Sequence, residues 1–323
     1  MKTLRVRLNH TPMGPLAGFF LAEDRNYFAD EGLEIEWSGA RGASAAIADI
    51  RTGDYAAVYG DINSLTMLLS SLPEGTGPQA VFVAFNRTPL TVAVRADGPV
   101  QTPRDLIGKT LFGHPHDSAR IFFPAYARAS GFDVADVDIR DAQGSLGQLV
   151  RAMIEDKAGE GVFGFVNSTI ASLSDMNSPH EANTRFLEYS TVLPDFYGNA
   201  LVVTRALLET DPAAIQGLVR ATSRGFRDAI RDPRAGIDAV MAHGADMSYA
   251  VNLRRFMGTL QREMSHPERE RLGIGDVDQA RLARSCEQVT VAMQLDRKVD
   301  AAELFSPAFL PALEERRFEP SAG

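Results

Sequence analysis

Six short stretches of this 323-residue chain carry side chains able to hold a small polar molecule. They are Asn9-His10-Thr11, Gly39-Ala40-Arg41, Gly60-Asp61, Asn86-Arg87-Thr88, His116-Asp117-Ser118 and Asn167-Ser168-Thr169. Each reads as a turn from a strand into a helix, where free N–H groups and the helix dipole favour a ligand's negative or partly negative oxygens. The plainer reading of any single turn is that Ser, Thr, Asp and Asn are good helix caps. Six such turns argue for one shared crevice. Arg41, Arg87 and Arg120 lie at or near these turns, and a guanidinium fork suits carboxylate, sulfonate or phosphate. Surface ion pairing is the competing role. Arg87 is the strongest candidate of the three, because it stands between a strand end and a crossing segment. His10 could donate to a ligand, and His116 or Asp117 could cap a helix or touch one. His114-Pro115-His116-Asp117 lacks a fourth metal ligand and no HExxH or Cys pair accompanies it, so no metal is expected. Of the aromatics near the turns, Phe85, Phe196 and Tyr197 are placed to stack on a flat ring, while Tyr59, Phe112 and Phe165 read as core.

The elements that must position these residues are organised around residues 55–64, YAAVYGDINS. A buried strand over 55–59 breaks at Gly60-Asp61 and runs into a helix over 62–72. Gly60 would permit an unusual backbone angle, and Asp61 or Ser64 would cap the helix. Upstream, a strand at 4–8 leads to a helix from Leu16 that stops at Gly32, then a strand at 33–37 and a helix at 43–51. A strand at 80–85 completes a β-α-β-α-β-α-β run, the pattern of a mostly parallel sheet covered by helices. After a strand at 90–95 a second set follows: strands at 109–113, 137–140 and 162–166, with helices at 119–130 and 145–157. Residues 185–193 and 197–204 are extended, and from about 205 the pattern is helical.

Length and composition bound the function. A chain of 323 residues exceeds what one hydrophobic core usually serves, so two lobes are expected. The formal charge of −9, without a Lys/Arg run, argues against a nucleic-acid partner. The single cysteine, Cys286, allows no intrachain disulfide and reads as a small buried apolar residue. No GxSxG elbow, no GxxxxGK[ST] loop and no GxGxxG after the first strand is present, which favours binding over chemistry and gives no sign of a cofactor. The opening MKTLRVRLNH runs directly into a strand and carries no export signal.

The segment 14–32, GPLAGFFLAEDRNYFADEG, followed by Leu33-Glu34-Ile35-Glu36, resembles the opening of periplasmic solute-binding proteins of ABC transporters. The subgroup is the one serving sulfonate, nitrate, taurine and thiamine pyrimidine precursors. Thr52-Gly53-Asp54 with Tyr59-Gly60-Asp61, the run TPRDLIGKT at 102–110, and Ser118 heading a helix fit the same family in order. The resemblance covers residues 4 to 205. It implies an α/β, two-lobed type II binding-protein fold that closes on a solute and delivers it to a transporter permease. Each lobe would be a mostly parallel sheet flanked by helices, with a helical C-terminal part. Lobe 1 would comprise 1–92 and 200–323 and lobe 2 residues 93–199, with hinges near 86–95 and 195–204. His10, Gly39, Asp61, Ser64, Asn86, Arg87, Ser118, Asn167 and Asn199 are ligand positions by placement in that family; Arg41, His116 and Phe196 join them from the residue reading. The expected protein is a periplasmic monomer, with a cytoplasmic location as the alternative, that takes a sulfonate, pyrimidine or aromatic acid. A decarboxylase, desulfinase or lyase on the same fold, using His10 or His116 as acid or base, is the alternative, although the cysteine-rich motif of the related fungal pyrimidine synthases is absent.

Overall fold

The computed structural model describes residues 1–317 and contains two five-stranded sheets. The first is built from β1 (Lys2–Leu8), β2 (Leu33–Gly39), β3 (Ala57–Asp61), β4 (Gln79–Val83) and, much later in the chain, β10 (Asn199–Val203). Its order is β2-β1-β3-β10-β4, and β10 runs antiparallel to both of its neighbours. The second sheet takes β5 (Leu90–Arg95), β6 (Thr110–Gly113), β7 (Asp138–Asp141), β8 (Gly161–Phe165) and β9 (Thr184–Glu188). Its order is β7-β6-β8-β5-β9, with β5 the antiparallel strand. Four strands of each sheet therefore share a direction, as the βα alternation requires. The odd strand is in each case the first one laid down after the chain crosses between sheets.

Side-chain parity explains the layers. In β1, Leu4, Val6 and Leu8 enter the first core while Arg5 and Arg7 face outward, Arg7 pairing with Asp49 at 2.8 Å. All five residues of β3 are buried, as a central strand covered on both faces demands. The edge strand β7 reads Asp-Ile-Arg-Asp and is largely exposed, a charged edge that discourages pairing with another chain.

Several expectations are corrected by packing. The strand predicted at 55–59 is shifted to Ala57–Asp61: Tyr55 lies outside the sheet, with the Arg5 and Arg7 guanidinium groups over its ring. Gly60 does not take a positive φ; it is required because a Cβ there would stand 2.3 Å from the Ala43 carbonyl oxygen. The helix from Leu16 breaks at Asn26, which adopts φ 58, before ending at Gly32 as expected. The single helix predicted at 119–130 is two, Ser118–Ile121 and Phe123–Ala129, because Pro124 cannot continue the hydrogen-bond ladder. Asn167-Ser168-Thr169 is no turn but the first turn of the Val166–Asp175 helix, which follows β8 without a break. Residues 189–191 form a 3-10 turn after β9, not an extension of it.

Residues 84–89 and 189–198 carry the chain between sheets and pair side by side: the Gly198 N–H donates to the Phe85 carbonyl at 2.9 Å and Thr88 N–H to Phe196 at 3.2 Å. The C-terminal helices, expected to pack on the first lobe, bridge both. In the Gln279–Ala292 helix, Leu282 and Cys286 join a core with Ile62 and Leu65, whereas Val289 joins Phe122 and Phe123 in the second-sheet core. The Tyr249–Arg262 helix packs on both the Gly14–Leu16 turn and the Val166–Asp175 helix.

Candidate functional site

Asp61 closes β3 and opens the Ile62–Ser70 helix. Its Oδ1 accepts from the N–H groups of Asn63 (2.9 Å) and Ser64 (3.1 Å), a capping arrangement that leaves Oδ2 buried and without a hydrogen-bond partner among the described residues. Burial pushes this carboxyl up to about 7, against the two backbone donors that favour its ionised form. Directly across the β3–β10 ladder stands Asn199, fully buried, with neither Oδ1 nor Nδ2 hydrogen-bonded among the described residues. Tyr59, two residues back on the same face of β3, has an equally unpartnered hydroxyl. Desolvation first, and the Glu263 charge second, raise its pKa well above the ordinary value, and the neighbouring Asn199 amide opposes this. These three side chains form a polar floor at the carboxyl end of β3.

A wall rises beside it from the Tyr249–Arg262 helix and its last turn. Arg255, Thr259 and Glu263 are spaced by four and make one stripe. Glu263 is buried; its Oε1 accepts from Asn167 Nδ2 at 2.7 Å, and Oε2 has no partner among the described residues. Burial pushes its carboxyl up to about 6 despite the nearby Thr259 hydroxyl, the Asn167 hydrogen bond and the Arg255 charge. Arg255 donates from Nη2 to Ser168 Oγ at 2.7 Å, while its Nε is buried without a partner. Desolvation brings this guanidinium down to about 10, with Glu263 pulling the other way. No carboxylate forms an ion pair with Arg255 among the described residues. Arg255 is half-buried with its Nε enclosed and no direct ion pair, and such a cation gains when an anion docks against it. His10, at the rim, is held below its ordinary pKa by burial and then by Arg255, with Asp246 opposing.

The two halves meet over this space. Ser44, in the Ala43–Asp49 helix, has its hydroxyl 2.7 Å from that of Ser64 and 2.6 Å from that of Ser118. Ser64 belongs to the first sheet's helix and Ser118 opens a helix of the second, so the three hydroxyls span the crevice. The Gly42 turn faces the His116 carbonyl just above them.

Of the residues singled out from the sequence, Asp61, Ser64, Ser118, Asn167 and Asn199 are brought together. His10 and the exposed Arg41 and His116 stand at the rim, His10 with its Nδ1 2.9 Å from Thr11 Oγ1. Gly39 allows the ends of β1 and β2 to approach, since a Cβ there would lie 2.8 Å from the His10 backbone. Asn86 is diverted: Oδ1 accepts from the His266 N–H at 3.1 Å and Nδ2 donates to its carbonyl at 3.4 Å. Arg87 donates its backbone N–H to Glu263 O at 3.0 Å, and its charge, after burial and Arg281, holds His266 down to about 4. Both therefore fasten the loop behind the wall. Phe196 packs edge-on against Phe122 as part of the second core, which gives its ring a structural role there. Tyr197 is occupied by Glu268, to which its hydroxyl donates at 3.0 Å, and by the Arg281 guanidinium over its ring. Arg120 pairs with Asp141 at 2.6 Å. Arg255, Glu263 and Ser44 escaped the sequence reading. The signal available was the Arg-x3-Thr-x3-Glu spacing on an amphipathic helix, which reads equally well as an ordinary solvated face.

Comparison with known proteins fits this geometry. The periplasmic aliphatic sulphonate binding protein SsuA of Escherichia coli superposes with a TM-score of 0.71 at 14% identity, covering 94% of this chain and 97% of that one. The desulfurization enzyme DszB, in a mutant form complexed with biphenyl-2-sulfinic acid, superposes at 0.63 and 13% identity over 98% and 99% of the two chains. The two-sheet architecture is thus that of the periplasmic binding proteins. The riboflavin-binding protein RibY of Chloroflexus aurantiacus is 22% identical over 321 residues, 96% of this chain and 87% of its own. The NMT1/THI5-like family matches residues 15–236, from the Gly14–Leu16 turn after β1 to beyond β10, and the chain belongs to that family.

Proposed function

We propose that this protein is the solute-binding component of an ABC importer and captures a small polar molecule with an acidic group between its two sheets. One observation carries the reading: Asp61, Asn199, Glu263 and Arg255, from three separated parts of the chain, converge with buried polar atoms that the protein leaves unpaired. Buried polar groups in folded proteins are nearly always hydrogen-bonded, so a cluster of exceptions marks a place meant for another molecule. Arg255 takes the acidic group, assisted by Ser168 and by His10 at the rim, and the floor takes the polar remainder. The solute enters the open form, and bending at 84–89 and 189–198 brings the Ser44–Ser118 contact together. Closure excludes water and strengthens every hydrogen bond inside. A sulfonate, an aromatic acid and a pyrimidine acid all satisfy this arrangement. The likeness to RibY and SsuA supports a periplasmic carrier with a permease partner; no described helix is long and apolar enough to cross a membrane. We expect a monomer.

A thermal-shift screen of sulfonates, pyrimidines and aromatic carboxylates, followed by calorimetry, tests the reading. Replacing Arg255 by Ala should weaken the best solute by roughly tenfold or more while the free protein melts within a few degrees of the parent. Unchanged affinity removes Arg255 from the site. The likeness to DszB supports a competing reading, an enzyme on this fold. Mass spectrometry separates the two, since a carrier returns the solute unaltered.

A further inference from the structure

We infer that the captured solute presents a cis-amide edge, the adjacent N–H and C=O of a lactam, imide or cyclic urea, to the side chain of Asn199. The inference rests on the solute-capture reading and narrows its chemistry. Asn199 is 0% exposed, and both ends of its carboxamide lack a partner among the described residues. Along one edge a primary carboxamide offers an acceptor and, beside it, one of its two N–H donors. A carboxylate or sulfonate offers only acceptors and would leave Oδ1 unpaired; an apolar ring would leave both ends unpaired, at a cost. A cis-amide pairs with both at once in a closed two-bond ring. The pairing is self-complementary, so it holds whichever way the Asn199 amide is turned.

The surroundings agree. Asp61 lies across the ladder from Asn199, Tyr59 is on the same face, and Glu263 is near enough for its charge to act on Tyr59; Asp61 Oδ2, Tyr59 Oη and Glu263 Oε2 are each buried and unpaired among the described residues. These atoms can serve the second carbonyl or N–H of an imide or urea. Burial favours the protonated carboxyl of Asp61, which makes it a donor as well as an acceptor near neutral pH. The acidic group of the same solute is left to Arg255. The strand itself is anchored by its backbone, the Asn199 carbonyl accepting from Ala84 and Phe85, so β10 does not depend on the Asn199 side chain.

The test is calorimetric titration of the full chain with three ring acids: uracil-6-carboxylate, its 1,3-dimethyl derivative, and benzoate. Uracil-6-carboxylate should bind roughly tenfold or more tightly than the other two, because methylation blocks both N–H groups and benzoate has none. Asn199→Leu should erase that preference, and Asn199→Asp should reduce it. A second readout needs no solute: Asn199→Leu should raise the melting temperature of the free protein, since it removes two unpaired buried polar ends. Equal affinity for the three acids, a preference that survives Asn199→Leu, or a lower melting temperature for that variant each overturns the inference. If benzoate or an alkanesulfonate binds as tightly as the uracil acid and Arg255→Ala weakens both, the cis-amide inference falls and solute capture stands. Binding by none of these acids overturns both.

Discussion

The two oxygens of Asp61 are used unequally. Oδ1 caps a helix, and Oδ2 is buried without a partner among the described residues. The consequence for pH follows from direction alone. Burial raises Asp61 from 3.8 to about 7 and Glu263 from 4.5 to about 6, so the folded protein binds these protons more tightly than the unfolded chain. Their contribution to stability is complete at pH values below the unfolded pKa values and is lost as pH rises through about 6 to 7. Melting of the solute-free protein across this range should show that loss, and Asp61→Asn should show a smaller one; identical pH profiles would contradict the assigned environment. At this scale the sequence was legible where one residue serves one local purpose. Asp61 was one of two candidate caps, with Ser64, and it is Asp61 that caps the helix. Asn86 could not be read correctly, because its partner is the backbone of His266, 180 residues away.

Strands and helices set the positions of those residues, and the close contacts between them are where single changes should tell. Gly60 lets the Ala43–Asp49 helix lie against β3; Gly60→Ala would drive a Cβ to 2.3 Å from the Ala43 carbonyl and should destabilise by about 1–3 kcal/mol, read by denaturant unfolding. The Gln279–Ala292 helix fastens the second crossing through Arg281, which is buried, donates to the carbonyls of Pro194 and Phe196, and pairs with Glu268 at 2.9 Å. Arg281→Ala strands the Glu268 carboxylate in the interior and should cost about 3–5 kcal/mol; a change below 1 kcal/mol would show the pair to be dispensable. The βα alternation and the strand at 90–95 were readable because hydrophobic periodicity is a local signal. The break at Pro124, the shift of β3 toward Asp61 and the helical start at Val166 were missed, since packing and continuity overrode the turn signals there.

The molecule as a whole is two sheets joined by paired crossings and bridged by C-terminal helices. The first 205 residues announced the two sheets, and the crevice followed from the rule that ligands gather at strand carboxyl ends. The wall did not follow, because Arg255 and Glu263 reach the floor from a helix that is amphipathic like any surface helix and lies remote in sequence from β3. Under the proposed function both halves line the crevice, and the Ser44–Ser118 contact is one point where they touch. Changing both to cysteine gives a reversible lock across the mouth, undisturbed by Cys286, which is buried with its thiol pushed up to about 11. The decisive measurement is solute uptake by this double variant, oxidised either before or after the best solute from the screen is added. Interlobe capture predicts no uptake when the lock is closed first, and one solute retained per chain through dialysis when it is closed last. Equal binding in the reduced and pre-oxidised protein would mean that the solute sits elsewhere.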